Sequence, residues 1–323
     1  ATGDKGVDRL TAEAIRFIKA DPARPFFCYL AHHTTHGPLV APPALVEKYK
    51  AKGLPETGEN NAVLMACLEH LDRSVGRLLA ALDEARIART TAVFFIADNG
   101  GVWERYHPVM AADGKPSPKN LALNDLNFSN TPLRSGKGSA YEGGIRVPWL
   151  VRWPAVVPAG TVNRTPVHIV DIMPTLFEMA GARAPQGYTM DGVSLLPAMR
   201  NRAIAARALY WYMPFYDLRW PAVPSAIIRE GDFKLIESFG DHFDMDRKAE
   251  HVLTSRLELF DLRKDPGERD NLAAAMPDRA RAMQSKLRQW IASCGAPIPG
   301  RNARYDATKA LWEQKGQSSA ARP

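Results

Sequence analysis

The chain has 323 residues, long enough for one large domain or for a large domain with a smaller one beside it. Its balance of 46% hydrophobic and 24% charged residues is that of a soluble globular protein, and no apolar run is long enough for a transmembrane helix. A net charge of +7 and a pI near 9.3 suit an anionic partner, but no dense Lys/Arg block accompanies them, so nucleic acid is not expected.

Residues 8 to 20 read as a helix that Asp8 caps, with Leu10, Ala14, Phe17 and Ile18 forming its apolar stripe. Asp21-Pro22 ends it. Pro25-Phe-Phe-Cys-Tyr-Leu-Ala31 reads as a buried strand, with Cys28 in its core, that ends in the polar run His32-His-Thr-Thr-His-Gly-Pro38. A short helix follows a proline pair at 43 to 50. The strongest periodicity lies at 60 to 86, where Leu64, Leu68, Leu71, Val75, Leu78 and Leu82 lay one stripe against a sheet and Cys67 is a core residue. This helix leads into Ala92 to Ala97, an apolar run that stops at Asp98-Asn-Gly-Gly101. Helix then buried strand is the grammar of an α/β domain with a parallel sheet.

From Gly100 to about Glu142 no periodicity is sustained, and a loop this long in a compact domain is expected to be functional or disordered. It closes on a basic, glycine-rich run that precedes a third strand at 147 to 153. Asp171 is expected to cap a helix ending at Gly181, with Pro174 in its first turn. After Arg200 the texture changes to short strands at 209–212, 225–229, 233–237 and 257–260, which suggests a small antiparallel sheet. A last helix at 278 to 292 buries Met283, Leu287, Trp290 and Ile291, and the tail from Gly295 is Pro-, Gly- and charge-rich. The three cysteines, with Cys294 the last, match no zinc or redox spacing, and their odd number argues against a disulfide scaffold.

Three clusters stand at loop positions beside strands: His36, Asp98 with Asn99, and Lys137 with Arg134. Ligands of open α/β sheets sit beyond strand ends, where Asp98 and Asn99 fall. A carboxylate and an amide oxygen suit Ca²⁺ or Mg²⁺. A Lys, an Arg and a His beside the metal would neutralise a tetrahedral oxyanion, and His36 could also protonate a leaving oxygen. Taken singly, each has a plainer alternative. Asp-Asn-Gly-Gly is ordinary turn chemistry, His36 could cap a turn, Lys137 could be a solvated loop charge, and Glu142 with Arg146 a surface ion pair of little worth. Arg134-Ser-Gly-Lys-Gly-Ser139 is not a P-loop, since it lacks the spacing and precedes a strand.

Taken together, the motifs resemble those of a type I sulfatase of the alkaline phosphatase superfamily, over nearly the whole chain. Pro25-Phe-Phe-Cys-Tyr-Leu-Ala-His-His-Thr-Thr-His-Gly-Pro-Leu39 is similar to the family strand ending in x-H-x-P-L, which aligns His36 with the active-site histidine. Ala97-Asp-Asn-Gly-Gly101 resembles half of the metal site, and Leu133-Arg-Ser-Gly-Lys-Gly-Ser-Ala-Tyr-Glu-Gly-Gly-Ile-Arg-Val-Pro148 the loop with the sulfate-binding lysine, here Lys137. Asp171-Ile-Met-Pro-Thr-Leu176, Asp191-Gly-Val-Ser-Leu195, Arg229-Glu-Gly-Asp-Phe-Lys-Leu235 and Glu258-Leu-Phe-Asp-Leu-Arg-Lys-Asp-Pro-Gly-Glu268 also resemble family signatures.

The resemblance implies an alkaline-phosphatase-like α/β fold, a mostly parallel sheet flanked by helices, followed by a small C-terminal antiparallel sheet with a helix. The catalytic α/β part is expected at 1–205 and a C-terminal α+β subdomain with a surface tail at 206–323. It also implies sulfate-ester hydrolysis, with a sulfated carbohydrate or aryl sulfate as substrate. Asp98 and Asn99 would ligate Ca²⁺ (or Mg²⁺). Lys137 would bind the sulfate and the leaving oxygen, His36 would hydrogen-bond or protonate the leaving group, and Arg134 would assist in substrate binding. A formylglycine made in a C/S-x-P-x-R motif is the family nucleophile, and no Cys or Ser of this chain stands in one. The chain, which begins at Ala1 with no signal peptide, is therefore expected to start partway into the catalytic domain and to be inactive, or nearly so, alone. The family would place it in the periplasm or outside the cell. The alternatives are a phosphatase or phosphonate monoester hydrolase of the same superfamily, against which Asn99 stands where those sites carry His, and a non-catalytic binder of sulfated glycans.

Overall fold

The computed structural model describes residues 3–56, 58–102, 128–215, 223–239 and 256–300, and the backbone of 242–244 and 250–252. The chain divides into two compact units. One forms around Ala1–Trp103 and Arg146–Ala206, the other around Asn130–Ile145 and Arg207–Pro323.

In the first unit, α1 (Val7–Ala20) is entered through Gly6, whose φ of 81° is left-handed. The carboxylate that satisfies its first turn is that of Asp4, which accepts from the Asp8 N–H at 2.6 Å, so Asp8 is not the cap that the sequence suggested. The buried line of α1 is Val7, Thr11, Ala14 and Ile18, whereas Leu10 and Phe17 of the expected stripe are exposed. α2 (Pro43–Ala51) sets Leu45 against Ala66 and Cys67 of α3 (Ala62–Glu84). Asn61 caps α3 by accepting from Leu64 N at 2.9 Å.

The leucine stripe of α3 is only half used. Leu64 and Leu82 are buried while Leu68 is exposed, and Cys67, His70 and Ser74 are buried as well. A polar seam explains the shift. Thr11 Oγ1 on α1 donates to Val7 O and lies 2.6 Å from Ser74 Oγ, which in turn lies 3.0 Å from His32 Nε2. Buried hydroxyls that satisfy one another let two helices approach without a bulky apolar layer between them.

β1 (Val93–Ile96) follows α3 as expected, but its partner β2 (Trp149–Arg152) runs antiparallel, in register Val93↔Arg152 to Ile96↔Trp149. A short apolar run reads the same for either sense of pairing, so the parallel arrangement could not have been distinguished from it. The expected strand at 25–31 does not form a ladder among the described residues. It is irregular, with Phe27 and Tyr29 exposed, and Cys28 is exposed rather than in a core. Ile169–Asp171 is a 3-10 turn leading into α5 (Ile172–Ala180), which closes at Gly181 with φ 62°. Asp171 ties this corner together by accepting from His168 N at 2.8 Å and Val193 N at 3.0 Å. α6 (Leu196–Met199) is a single turn.

The second unit contains α4 (Glu142–Ile145) and an antiparallel sheet of β3 (Ala208–Met213), β4 (Ser225–Glu230), β5 (Phe233–Ser238) and β8 (Arg256–Asp261), in that order. A two-stranded ribbon, β6 (His242–Asp244) with β7 (Glu250–Val252), interrupts the chain between β5 and β8. One face of the main sheet, through Ala226, Ile228, Leu235 and Leu259, packs on Met283, Leu287 and Ile291 of α7 (Pro277–Ser293). Each of those helix side chains contributes about 1.5–3 kcal/mol by burial. Trp290 is half-buried and stacks on Tyr210 at 4.7 Å between ring centroids. The opposite face, through Ile227, Ile236 and Phe260, packs on Ala140, Tyr141 and Ile145. Both faces of this sheet are covered, and β5 is buried along nearly its whole length.

Candidate functional site

His36, Asp98 and Asn99 belong to the first unit, and Lys137 and Arg134 to the second. Residues 103–127 of the long aperiodic stretch expected from Gly100 to about Glu142 lie outside the described residues.

His36 is exposed on a turn closed by its own N–H, which donates to His33 O at 3.1 Å. Lys5 Nζ braces this turn by donating to Pro38 O at 2.9 Å and to His36 O. His36 Nδ1 lies 2.8 Å from Gly37 O. A carbonyl only accepts, so Nδ1 carries the proton and Nε2 of the neutral ring is an acceptor. Proton donation from Nε2 therefore requires the cationic imidazolium. Of the neighbouring histidines, His32 is committed to Ser74, and its burial lowers its pKa, with His33 and His70 adding to the effect.

Asp98 and Asn99 follow the end of β1, which is fixed by Ala97 N donating to Pro148 O at 3.2 Å. Asp98 is exposed and Asn99 half-buried. The Asn99 amide nitrogen donates to Gly100 O at 2.8 Å, so the oxygen is the end of that amide left for a ligand. A carboxylate beside an amide oxygen is a donor pair that a hard cation takes, and it provides two of the six to eight oxygens Ca²⁺ requires. A further group of possible ligands, Asp4, Asp8 and His70, escaped the sequence reading because its members lie far apart along the chain. Asp4 accepts from the Asp8 N–H, while Asp8 pairs with Arg77 at 2.6 Å and lies 3.2 Å from His70, so this cluster fastens α1 to α3.

Lys137 is half-buried in the run 134–139, which is pressed onto α4. Gly143 N donates to Arg134 O at 2.8 Å. The approach is so close that a Cβ on Gly143 would stand 2.2 Å from Ser135 O, and one on Gly144 2.5 Å from Ser139 O. The two glycines of Glu-Gly-Gly are needed because backbone lies where side chains would be.

Arg134 is used inside the protein. Its guanidinium stacks over the Tyr141 ring at 4.0 Å, donates to Glu268 O at 2.9 Å and lies 3.8 Å from Glu258. Tyr141 donates to Glu258 Oε2 at 2.9 Å, and burial beside that carboxylate keeps its phenol protonated well above the ordinary range. These contacts make Arg134 a support of the loop.

Beneath the loop lies a buried charge triad that the sequence reading missed. Lys234 is fully buried, with Nζ 3.0 Å from Glu142 Oε1 and 2.7 Å from Glu268 Oε1. Glu268 Oε2 accepts from Glu142 N at 2.5 Å. Burial raises the Glu268 carboxyl above its ordinary value, against the pull of the Lys234 ammonium. Glu142, whose pairing with Arg146 at the surface was one expectation, instead points into this interior. The available signal was the period of β5, which puts Lys234 on the same face as Ile236, and the pairing of Lys234 with Phe260 across the sheet.

Comparison with known proteins places these features. The sulfatase family profile matches residues 5–182, and that of "N-sulphoglucosamine sulphohydrolase, C-terminal" matches residues 136–294. A "Sulfatase" of Formosa agariphila is 34% identical over 299 residues, covering 86% of this chain and 48% of that protein. The steryl-sulfatase of Mus musculus is 32% identical over 284 residues, covering 84% and 42% respectively. A crystal structure of Ps i-CgsB in complex with k-i-k-neocarrahexaose superposes with a TM-score of 0.69 at 25% identity, covering 98% of this chain and 60% of that one. The chain thus spans about half the length of the curated relatives it matches. The α/β fold of the alkaline phosphatase type expected from the sequence holds. The family profile covers more than half of the chain and includes His36, Asp98, Asn99 and Lys137, so this chain belongs to the sulfatase family, within the type I sulfatases of the alkaline phosphatase superfamily.

Proposed function

We propose that the full-length protein hydrolyses sulfate esters, with a sulfated carbohydrate as its substrate class. The observation that supports this most directly is the match of residues 5–182 to the sulfatase profile, which contains all four leading candidate residues. The carbohydrate class is supported by the match of residues 136–294 to the N-sulphoglucosamine sulphohydrolase profile and by the likeness to the oligosaccharide complex of Ps i-CgsB.

In this reading Lys137, held between Gly136 and Gly138, binds the sulfate and the leaving oxygen, where its charge counts most as negative charge develops. His36 faces the leaving group through Nε2, accepting a hydrogen bond when neutral and giving up a proton when cationic. Asp98 and the Asn99 amide oxygen would hold Ca²⁺ or Mg²⁺, which when bound neutralises sulfate oxygens as a Lewis acid. Formylglycine does not fit the residues present, since Cys28, Cys67 and Cys294 all lie outside a C/S-x-P-x-R motif. In this reading none of the three cysteines is the nucleophile.

The test is sulfate release from an aryl sulfate by the full-length protein, compared with phosphate release from the matching aryl phosphate. Sulfate release is expected to dominate. Lys137→Ala is expected to lower kcat by about 10²–10³-fold, the cost of removing one oxyanion partner, with an unchanged thermal melt. Faster turnover of the phosphate ester, or full activity in the Lys137 variant, would overturn the reading.

A further inference from the structure

The run Glu258-Leu-Phe-Asp-Leu-Arg-Lys-Asp-Pro-Gly-Glu268 has no part in the chemistry proposed above, yet its last residue meets the Lys137 loop twice. At the start of the loop, the Glu268 carbonyl accepts from Arg134 Nη1 at 2.9 Å. At its end, the Glu268 carboxylate accepts from Glu142 N at 2.5 Å. One residue thus pins both ends of the segment that contains Lys137. Glu268 is fully buried and has a φ of 53°, a left-handed conformation that non-glycine residues adopt only where surroundings impose it. The surroundings are specific. Asp265 Oδ2 accepts from Arg269 N at 2.7 Å and Asp270 N at 2.9 Å, closing the turn, and a Cβ on Gly267 would come within 3.0 Å of Pro132 O. Lys234 holds the carboxylate from below at 2.7 Å and Glu142 from the same ammonium at 3.0 Å. Burying an ammonium and two carboxylates is costly, and such a cluster persists only where its members are mutually bonded.

We propose that Glu268, with Lys234 and Glu142 as its partners, is a positioning residue that staples the 134–142 loop and so fixes the place of Lys137. The consequence for catalysis rests on the reading of Lys137 as the sulfate-binding lysine. The staple itself does not. Placement within about 1 Å matters to such a group, because misplacement on that scale costs on the order of 10²-fold in rate.

Glu268→Ala in the full-length protein removes the carboxylate and leaves Lys234 paired with Glu142. Hydrogen exchange of peptides from 134–145 is expected to quicken, while α7, on the other face of the sheet, keeps its protection. With an aryl sulfate, kcat/KM is expected to fall about 10- to 100-fold. Adding Glu268→Ala to Lys137→Ala is expected to cost little more than Lys137→Ala alone, since a residue acting through Lys137 has nothing left to position. Should Glu268→Ala fail to fold, Glu268→Asp keeps the charge, withdraws the oxygens by one methylene and is read out in the same two ways. Unchanged protection of 134–145 in a folded variant, or losses that multiply in the double variant, would overturn the proposal. Wild-type protein without sulfatase activity would remove the functional reading, and exchange would still decide whether the staple exists.

Discussion

Substituting Gly143 with alanine puts a methyl group 2.2 Å from Ser135 O and 2.4 Å from Arg134 O. Both atoms are backbone, so no side-chain rotation relieves the contact. The loop must lift from α4, and the hydrogen bond from Gly143 N to Arg134 O at 2.8 Å is strained or broken as it does. Overpacking of this kind costs about 1–3 kcal/mol and the hydrogen bond about 1 kcal/mol, together roughly 3 kcal/mol. For a unit of this size that is a fall in Tm of roughly 6–12 °C. Gly76→Ala is the control, because Gly76 lies inside α3 with nothing within 4 Å of an added Cβ. There alanine is expected to stabilise by about 0.5–1 kcal/mol through the lower entropy of the unfolded chain. Thermal melts and urea titrations of both variants in the full-length protein give the comparison. A Gly143→Ala melt within about 2 °C of the wild type, less than 1 kcal/mol would produce, would refute this clash.

Leu287, fully buried among Leu235, Leu259 and Met283, is expected to cost about 2–5 kcal/mol when cut to alanine and under about 1.5 kcal/mol when replaced by methionine, as read by urea unfolding. Glu69 governs an acid-sensitive contribution in the first unit. Hydrogen bonds from Lys48, then Tyr49 and Arg73, hold its carboxyl down at about 2. A depressed carboxyl stabilises the folded state above its ordinary value of 4.5, and that stability is lost as pH falls toward 2. Glu69→Gln should flatten stability against pH in this window, by a small amount since Lys48 and Arg73 reach solvent. A wild-type profile already flat between pH 4.5 and 2 would refute the assignment.

The elements most legible in the sequence were those whose signal is local. The length of α3, the strand before Asp98, the closure of α5 at Gly181 and the four strands after residue 206 all follow from periodicity and turn residues. The candidate residues were singled out for a related reason: Asp98-Asn99, His36 and Lys137 sit in short motifs whose residue types offer metal-ligating, proton-transferring and anion-binding groups. Less legible were features that depend on what lies opposite. The stripe on α3 pointed to its leucines, yet Thr11 and Ser74 made a polar seam that turned the helix toward Cys67 and His70. Residues 25–31 carry a strand's composition, but composition supplies no ladder partner.

By itself, then, the sequence determined the family, the order of most elements and the donor groups offered at each loop, because each is encoded in residues close together along the chain. Only the tertiary structure decided the antiparallel sense of β1 and β2, the burial of Lys234 between Glu142 and Glu268, and the engagement of Arg134 with Tyr141, Glu258 and Glu268. Several of those contacts are distant in sequence: Lys234 and Glu142 are 92 positions apart, and Arg134 and Glu268 are 134 apart. The free energy of a buried charge depends on which partner reaches it, and that is fixed by packing rather than by neighbours in sequence.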